Sequence, residues 1–378
     1  MKTVIHIGSP KTGSTALQNA LFNARDELTR HGVLYPNPSP ELGKQVNHGL
    51  LAGAIRPYDI GPRPFRMHSE QEHNARVEAF LKRLSSQVSM HNPDLLILSS
   101  EYLWAVGRKQ AWLSKLHDLL KHIGVGSVEF VGYVRGPSSF YLSQIQQQLR
   151  ASSRFRLPKE HTVTNNLDGY SQFFSDSKVS ARLFDREALV GGDIITDFLS
   201  LYRPDLQQSV LRTANNKSTN ESLSAEGMAL IQLFRRHFYS DRDDQFNKPT
   251  RKFIKRLRSI EKKFDFPRPK LHPEIAEYLD YAGTGPLELR DRYGIVFPKL
   301  DYSRLEREEF ANKPQVGGAV QDVVQVDEER LEQMVHSLLQ SNHTFNPALK
   351  TWLRSLPQGK TAPSAFSLTL RNLRRFGN

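Results

Sequence analysis

The chain has 378 residues, no cysteine and a formal net charge of +12, from 52 Lys and Arg against 40 Asp and Glu. Its length fits one large α/β domain or a domain with an appendage, and 38% hydrophobic residues suffice for a core at that size. The lack of cysteine excludes a disulfide framework and a thiolate metal site, while the positive charge favours a polyanionic partner: nucleic acid, acidic glycan, anionic lipid or a highly charged cofactor.

From the N-terminus, TVIHI (3–7) is short and apolar and reads as a buried strand. It is too short for a signal-peptide core and runs straight into a glycine loop. No apolar run approaches about 18 residues, so a cytoplasmic location is expected. The loop GSPKTGST (8–15) has the glycine spacing of the phosphate-binding pattern G-x-x-x-x-G-K-[ST] at Gly8 and Gly13. Ser14 stands where that pattern has its lysine, and the lysine comes earlier, as Lys11. A helix is expected from Ser14, with Leu17, Leu21 and Leu28 on one side and Gly32 as its stop.

Residues 36–66 are rich in Pro and Gly and weakly periodic, a long excursion of the kind that often carries function. A second helix follows Ser69, where SEQE has the form of a capping box. LLILSS (95–100) predicts a strand, KQAWLSKLHDLLKHIG a helix, VEFVGYV (128–134) a strand, Pro137 to Arg150 a helix, and VSARLF (179–184) a strand. The four apolar runs look like parallel strands covered on both faces.

Beyond about residue 200 the pattern is more helical and more basic, and residues 251–270 hold nine Lys or Arg against two acids. Residues 312–326 read as a polar linker. The expected fold class is α/β: a three-layer, P-loop-like fold with a central parallel sheet flanked by helices, plus a more helical, basic C-terminal region. The expected domains are a core over 1–240, a basic helical extension of it over 241–311, and a linker with a helical tail over 312–378.

The loop is built to hold an anion. A strand ends, a glycine-bounded turn follows, and a helix begins, so backbone N–H groups converge with the positive end of the helix dipole. Gly8 and Gly13 allow close approach, Ser14 and Thr15 can add hydroxyls, and the ammonium of Lys11 can lean over the anion. A lysine displaced from the helix start argues against a kinase or ATPase, where it reaches the β- and γ-phosphates. A sulfuryl group carries less charge and needs no metal to be moved, and one ammonium on the bridging oxygen would assist it.

At this point PKTGST (10–15) resembles the 5′-phosphosulfate loop of the PAPS-dependent sulfotransferases, usually P-K-[ST]-G-[ST]-[ST]. That family's second signature is an arginine ending a later strand with a serine eight residues on, and VEFVGYVRGPSSFYLSQ is similar to it through Arg135 and Ser143. The resemblance implies that Pro10, Lys11, Thr12, Gly13, Ser14 and Thr15 hold the 5′-phosphosulfate and that Arg135 and Ser143 hold the 3′-phosphate. An arginine fork suits that phosphate. Two looser likenesses follow, in VSARLFDREALVGGDIITDFLSLY and in NNKSTNESLSAEGMALIQLF. The family's late glycine-rich loop, often R-K-G-x-x-G, has no counterpart.

Transfer to a hydroxyl needs a base. Glu101, at the end of DLLILSSE, is one candidate; the alternative is a glutamate that caps a helix or pairs with a lysine. His48, in NHGLLAGAI, is the other candidate; its alternative is a hydrogen-bonding histidine. His6 is expected to be a satisfied core histidine, and His68, His73, His117 and His122 have helix-surface contexts. No histidine pair has metal-ligand spacing.

The resemblance implies a sulfotransferase that moves a sulfuryl group from PAPS to a hydroxyl or amine of a carbohydrate or glycolipid, with no metal and no nucleic-acid partner. The basic stretch 251–270 is the expected contact for an anionic acceptor or a membrane surface. Two other readings are a P-loop kinase with a degenerate loop and a non-enzymatic polyanion-binding protein.

Overall fold

Among the described residues, five strands pair into one all-parallel sheet: β1 (Lys2–His6), β2 (Val33–Leu34), β3 (Leu95–Ser99), β4 (Ser127–Val134) and β5 (Lys178–Leu183), in the order β2-β3-β1-β4-β5. The computed structural model describes residues 1–38, 45–62, 65, 69–158, 163–214, 222–341 and 347–356. Because side chains alternate along a strand, each central strand feeds two apolar clusters. Ile5, Leu96, Leu98, Phe130 and Val134 pack on one face with Leu113, Leu116, Leu167 and Tyr170. Val4, Ile97, Val131 and Tyr133 pack on the other with Leu17, Leu21, Ile194 and Phe198. Helices thus cover both faces of the sheet.

The four expected strands form within a residue of their predicted ends. The two-residue β2 is an addition; it is too short to leave a periodic signal, and it forms because Val33 and Leu34 pair with Leu95 and Leu96. β5 departs from the expectation of burial on both faces. It is half-buried along its length, because it ends the sheet and pairs only with β4 among the described residues.

The first helix, α1, spans Ser14–Asn23, and after a break at Ala24 a second one runs over Arg25–Arg30. Ser69 caps the helix Glu70–His91 through the reciprocal bonds with Glu72 that the capping box requires. Asp197, fully buried, is held by Arg182 through two contacts of 2.6 Å and by the Tyr133 hydroxyl at 2.7 Å, which ties the helix Ile194–Tyr202 to β4 and β5.

The compact units do not follow contiguous boundaries. The first takes its described residues from 1–136, 163–214 and 283–308, and the second from 137–158, 222–282 and 309–356. The second is helical, with a core that includes Tyr141, Ile145, Leu230, Phe253, Leu257, Met334 and Leu338. Segment 312–326, expected as a polar linker, is packed in its second half. Val320, Val323 and Val324 are fully buried in that core, and Val324 bridges Leu271. The spacing of those three valines was the signal for burial, masked by the polar residues between them.

In the second unit the basic stretch forms the helix Lys248–Lys263. Arg251, Lys255 and Lys262 are exposed, whereas Arg258 is half-buried and close enough to Arg150 and Glu261 to act on their charges. The exposed stripe therefore excludes Arg258. Among the described residues no helix is long and apolar enough to cross a membrane. The tail 357–378, residues 215–221 of the NNKSTNES segment, and His68 lie outside the described residues.

Candidate functional site

The order of the sheet creates the site. β1 is flanked by β3 on one side and β4 on the other, so the connections leaving it diverge, and the crevice at the carboxyl ends of such strands is where α/β sheets take ligands. His6, the last residue of β1, lies in register with Ser99 of β3 and Val131 of β4. The loop after β1, Glu101 after β3, Arg135 after β4 and Phe184 after β5 therefore all emerge along one edge.

The loop is closed by its own bonds. Ile7 donates to the Val131 carbonyl, and the Thr12 hydroxyl donates to the Ser9 carbonyl at 2.6 Å. That bond commits the Thr12 hydroxyl to the loop and leaves Thr12 only its backbone for a ligand. Gly13 begins α1 at φ 76°, and neither a side-chain cap nor an acid in the first turn competes for the N–H groups there. A β-carbon on Gly13 would lie 2.7 Å from the Phe184 ring. Gly8 has φ 39°, and a β-carbon there would lie 2.7 Å from Ser14 Oγ and 3.2 Å from His6 Nε2. Pro10 and Thr15 are exposed, and Ser14 is buried.

Lys11 adopts the left-handed φ of 68°, rare for a residue with a side chain. Its carbonyl accepts a hydrogen bond from Arg135 Nη1 at 3.2 Å, and the Arg135 guanidinium rests on the Phe184 ring at 5.4 Å. Arg135 thus fastens the loop to the end of β4, a role the sequence did not reveal. Ser143 is half-buried on the helix Pro137–Gln148 of the second unit and is not part of the described cluster.

Glu101 opens the turn Glu101–Arg108, which Ser100 brings to β1 by donating its N–H to the His6 carbonyl. Burial raises the pKa of its carboxyl above the ordinary value, against the attraction of Lys11, which lowers it. Two residues ninety apart in sequence thus share one electrostatic site. The Tyr102 hydroxyl is pushed up to about 12 by burial and by the adjacent Glu101 charge.

His48 does not belong with them. It is fully buried, its Nδ1 accepts the Ser99 N–H at 2.9 Å, and its Nε2 lies 3.0 Å from the Pro36 carbonyl, so Nε2 carries the proton and donates. Burial lowers its pKa to about 4 despite those two bonds. With both nitrogens committed, the imidazole pins the 45–48 segment to β3 and has no lone pair for an acceptor hydroxyl. His73 is likewise buried rather than on a helix surface, with Nε2 at 3.2 Å from the Gly53 carbonyl.

His6 also departs from expectation. Its Nδ1 is bonded to Ser99 Oγ at 2.8 Å, but its buried Nε2 has no hydrogen-bond partner among the described residues, and neither has the buried Ser14 Oγ. Burial lowers the pKa of His6 to about 3, so the ring is neutral. Sequence reasoning missed His6 and Phe184. The only signal for His6 was its place as the last strand residue before the loop.

The loop, an uncapped helix start and two orphaned buried polar atoms fit an oxyanion seated at residues 8–14. No protein-family model matches this chain, and no curated protein matches it.

Proposed function

We propose that the chain is a sulfotransferase that moves a sulfuryl group from PAPS to a hydroxyl or amine, with a carbohydrate or glycolipid as acceptor. The observation that carries the reading is the pairing of Lys11 with Glu101 beside an uncapped helix start. A phosphoryl-transferring loop keeps its lysine next to the second glycine; here that position is Ser14 and the lysine comes earlier in the loop, as Lys11.

The bound donor would supply an activated sulfuryl group with a phosphate as its leaving group. The backbone N–H groups of residues 13–15 and the Ser14 hydroxyl would hold its 5′ end. Lys11 would neutralise charge growing on the leaving oxygen. Glu101, made more basic by burial, would take the proton from the acceptor hydroxyl. Arg135 holds the Lys11 carbonyl, and its guanidinium would meet the 3′-phosphate of the nucleotide.

Calorimetry with 3′-phosphoadenosine 5′-phosphate, ADP and ATP, with and without Mg²⁺, tests the reading. Metal-independent binding that prefers the 3′-phosphorylated nucleotide is the expected outcome; equal affinity for ADP overturns it.

A further inference from the structure

The feature left unexplained is the pair of orphaned atoms beneath the loop. His6 and Ser14 are 0% and 3% exposed, and their free polar atoms border the same point, the position a β-carbon on Gly8 would occupy. A buried polar group without a partner is costly, so two of them side by side at a loop built for anions call for a ligand.

The bonds around Ser99 decide which His6 nitrogen carries the proton. Ser99 Oγ accepts from Gln18 Nε2 at 3.1 Å and lies 2.8 Å from His6 Nδ1. A hydroxyl has one proton to give. If Ser99 gives it to Nδ1, the bonds linking Gln18, Ser99 and His6 use every proton among them except Nε2–H. If Nδ1 were the donor instead, the Ser99 proton and the Nε2 lone pair would both be left over. The first arrangement leaves fewer buried groups unpaired. It gives a chain of donors running Gln18, Ser99, His6, ending in an N–H beside Gly8.

We propose that His6 is a neutral donor whose Nε2–H, together with the Ser14 hydroxyl, binds an oxygen of a phosphate or phosphosulfate group seated in the 8–14 loop. Gln18 and Ser99 are positioning residues that hold its tautomer. The inference rests on the anion-binding part of the function proposed above and not on sulfuryl transfer. A neutral donor at this place strengthens the site without adding a second cation beside Lys11, and it explains why β1 ends in a fully buried histidine.

The test uses the full chain with ¹⁵N-labelled histidine and inorganic pyrophosphate as the probe. In the free protein the His6 ring should give the pattern of the Nε2–H tautomer. Saturating pyrophosphate should shift its Nε2 and Nε2–H signals and leave those of His48, whose Nε2 faces Pro36, in place. His6→Phe should weaken pyrophosphate binding about tenfold to a hundredfold, since the lost bond is to a charged group. His6→Gln, which keeps an N–H donor, should recover part of that loss.

An Nδ1–H tautomer, or His6 signals that stay put while pyrophosphate binds, overturns the inference, and so does a chain that binds no pyrophosphate. The wild-type spectra decide even if His6→Phe fails to fold. Shifted His6 signals without nucleotide binding would uphold this inference and sink the PAPS reading. Nucleotide binding with His6 unmoved would do the reverse.

Discussion

The replacement His48→Gln separates a structural histidine from a catalytic one. His48 is buried and neutral, with its pKa lowered to about 4 from an ordinary 6.5. As pH falls below 6.5, the unfolded chain takes up a proton at this residue that the folded chain refuses. The stability that depends on a neutral His48 is therefore complete above 6.5 and is lost progressively as pH falls towards 4. Between pH 8 and pH 5 the unfolded state gains nearly 1.5 pH units of protonation at about 1.4 kcal/mol each, roughly 2 kcal/mol in all. His6, Glu101 and the other buried acids titrate as well, but they do so in both proteins and cancel in the difference. Urea denaturation at pH 8 and pH 5 should thus show wild type losing about 2 kcal/mol more than His48→Gln. Equal losses in the two proteins would refute a buried, committed His48 and return it to contention as the proton acceptor.

Glu101→Gln preserves shape and hydrogen bonding but not basicity, and turnover should fall on the order of 10²–10⁴-fold, measured as acceptor sulfation with nucleotide affinity followed in parallel. Lys11→Ala should lower turnover more than nucleotide affinity. Because Lys11 pulls the Glu101 pKa down, its removal should also move the acid limb of the pH–rate profile to higher pH; a limb that stays in place would detach the two residues. Asp197→Ala leaves the buried Tyr133 hydroxyl without its acceptor and the half-buried Arg182 without its carboxylate, and should cost about 3 kcal/mol in thermal or chemical denaturation of the first unit.

Much of this protein is written locally in its sequence. Strand runs such as LLILSS and VEFVGYV, the Ser69 capping box and the glycine-bounded turn at 8–13 depend on neighbours a few residues away, and each forms where its pattern stands. The polar valine segment at 320–324 misled because burial there comes from residues far along the chain. The site divides the same way. Lys11, Gly13 and Ser14 are legible as one motif, since one turn holds them. That Glu101 stands near Lys11, that Arg135 bonds the Lys11 carbonyl, and that Phe184 underlies Gly13 follow only from β3, β4 and β5 taking their places around β1. The fates of the histidines were the least legible of all. His48 and His6 are both imidazoles bonded to Ser99, and only the packed structure leaves one saturated and the other with a nitrogen to spare. Hydrogen-bond satisfaction depends on where every neighbouring donor and acceptor comes to rest, and that is decided when the chain folds.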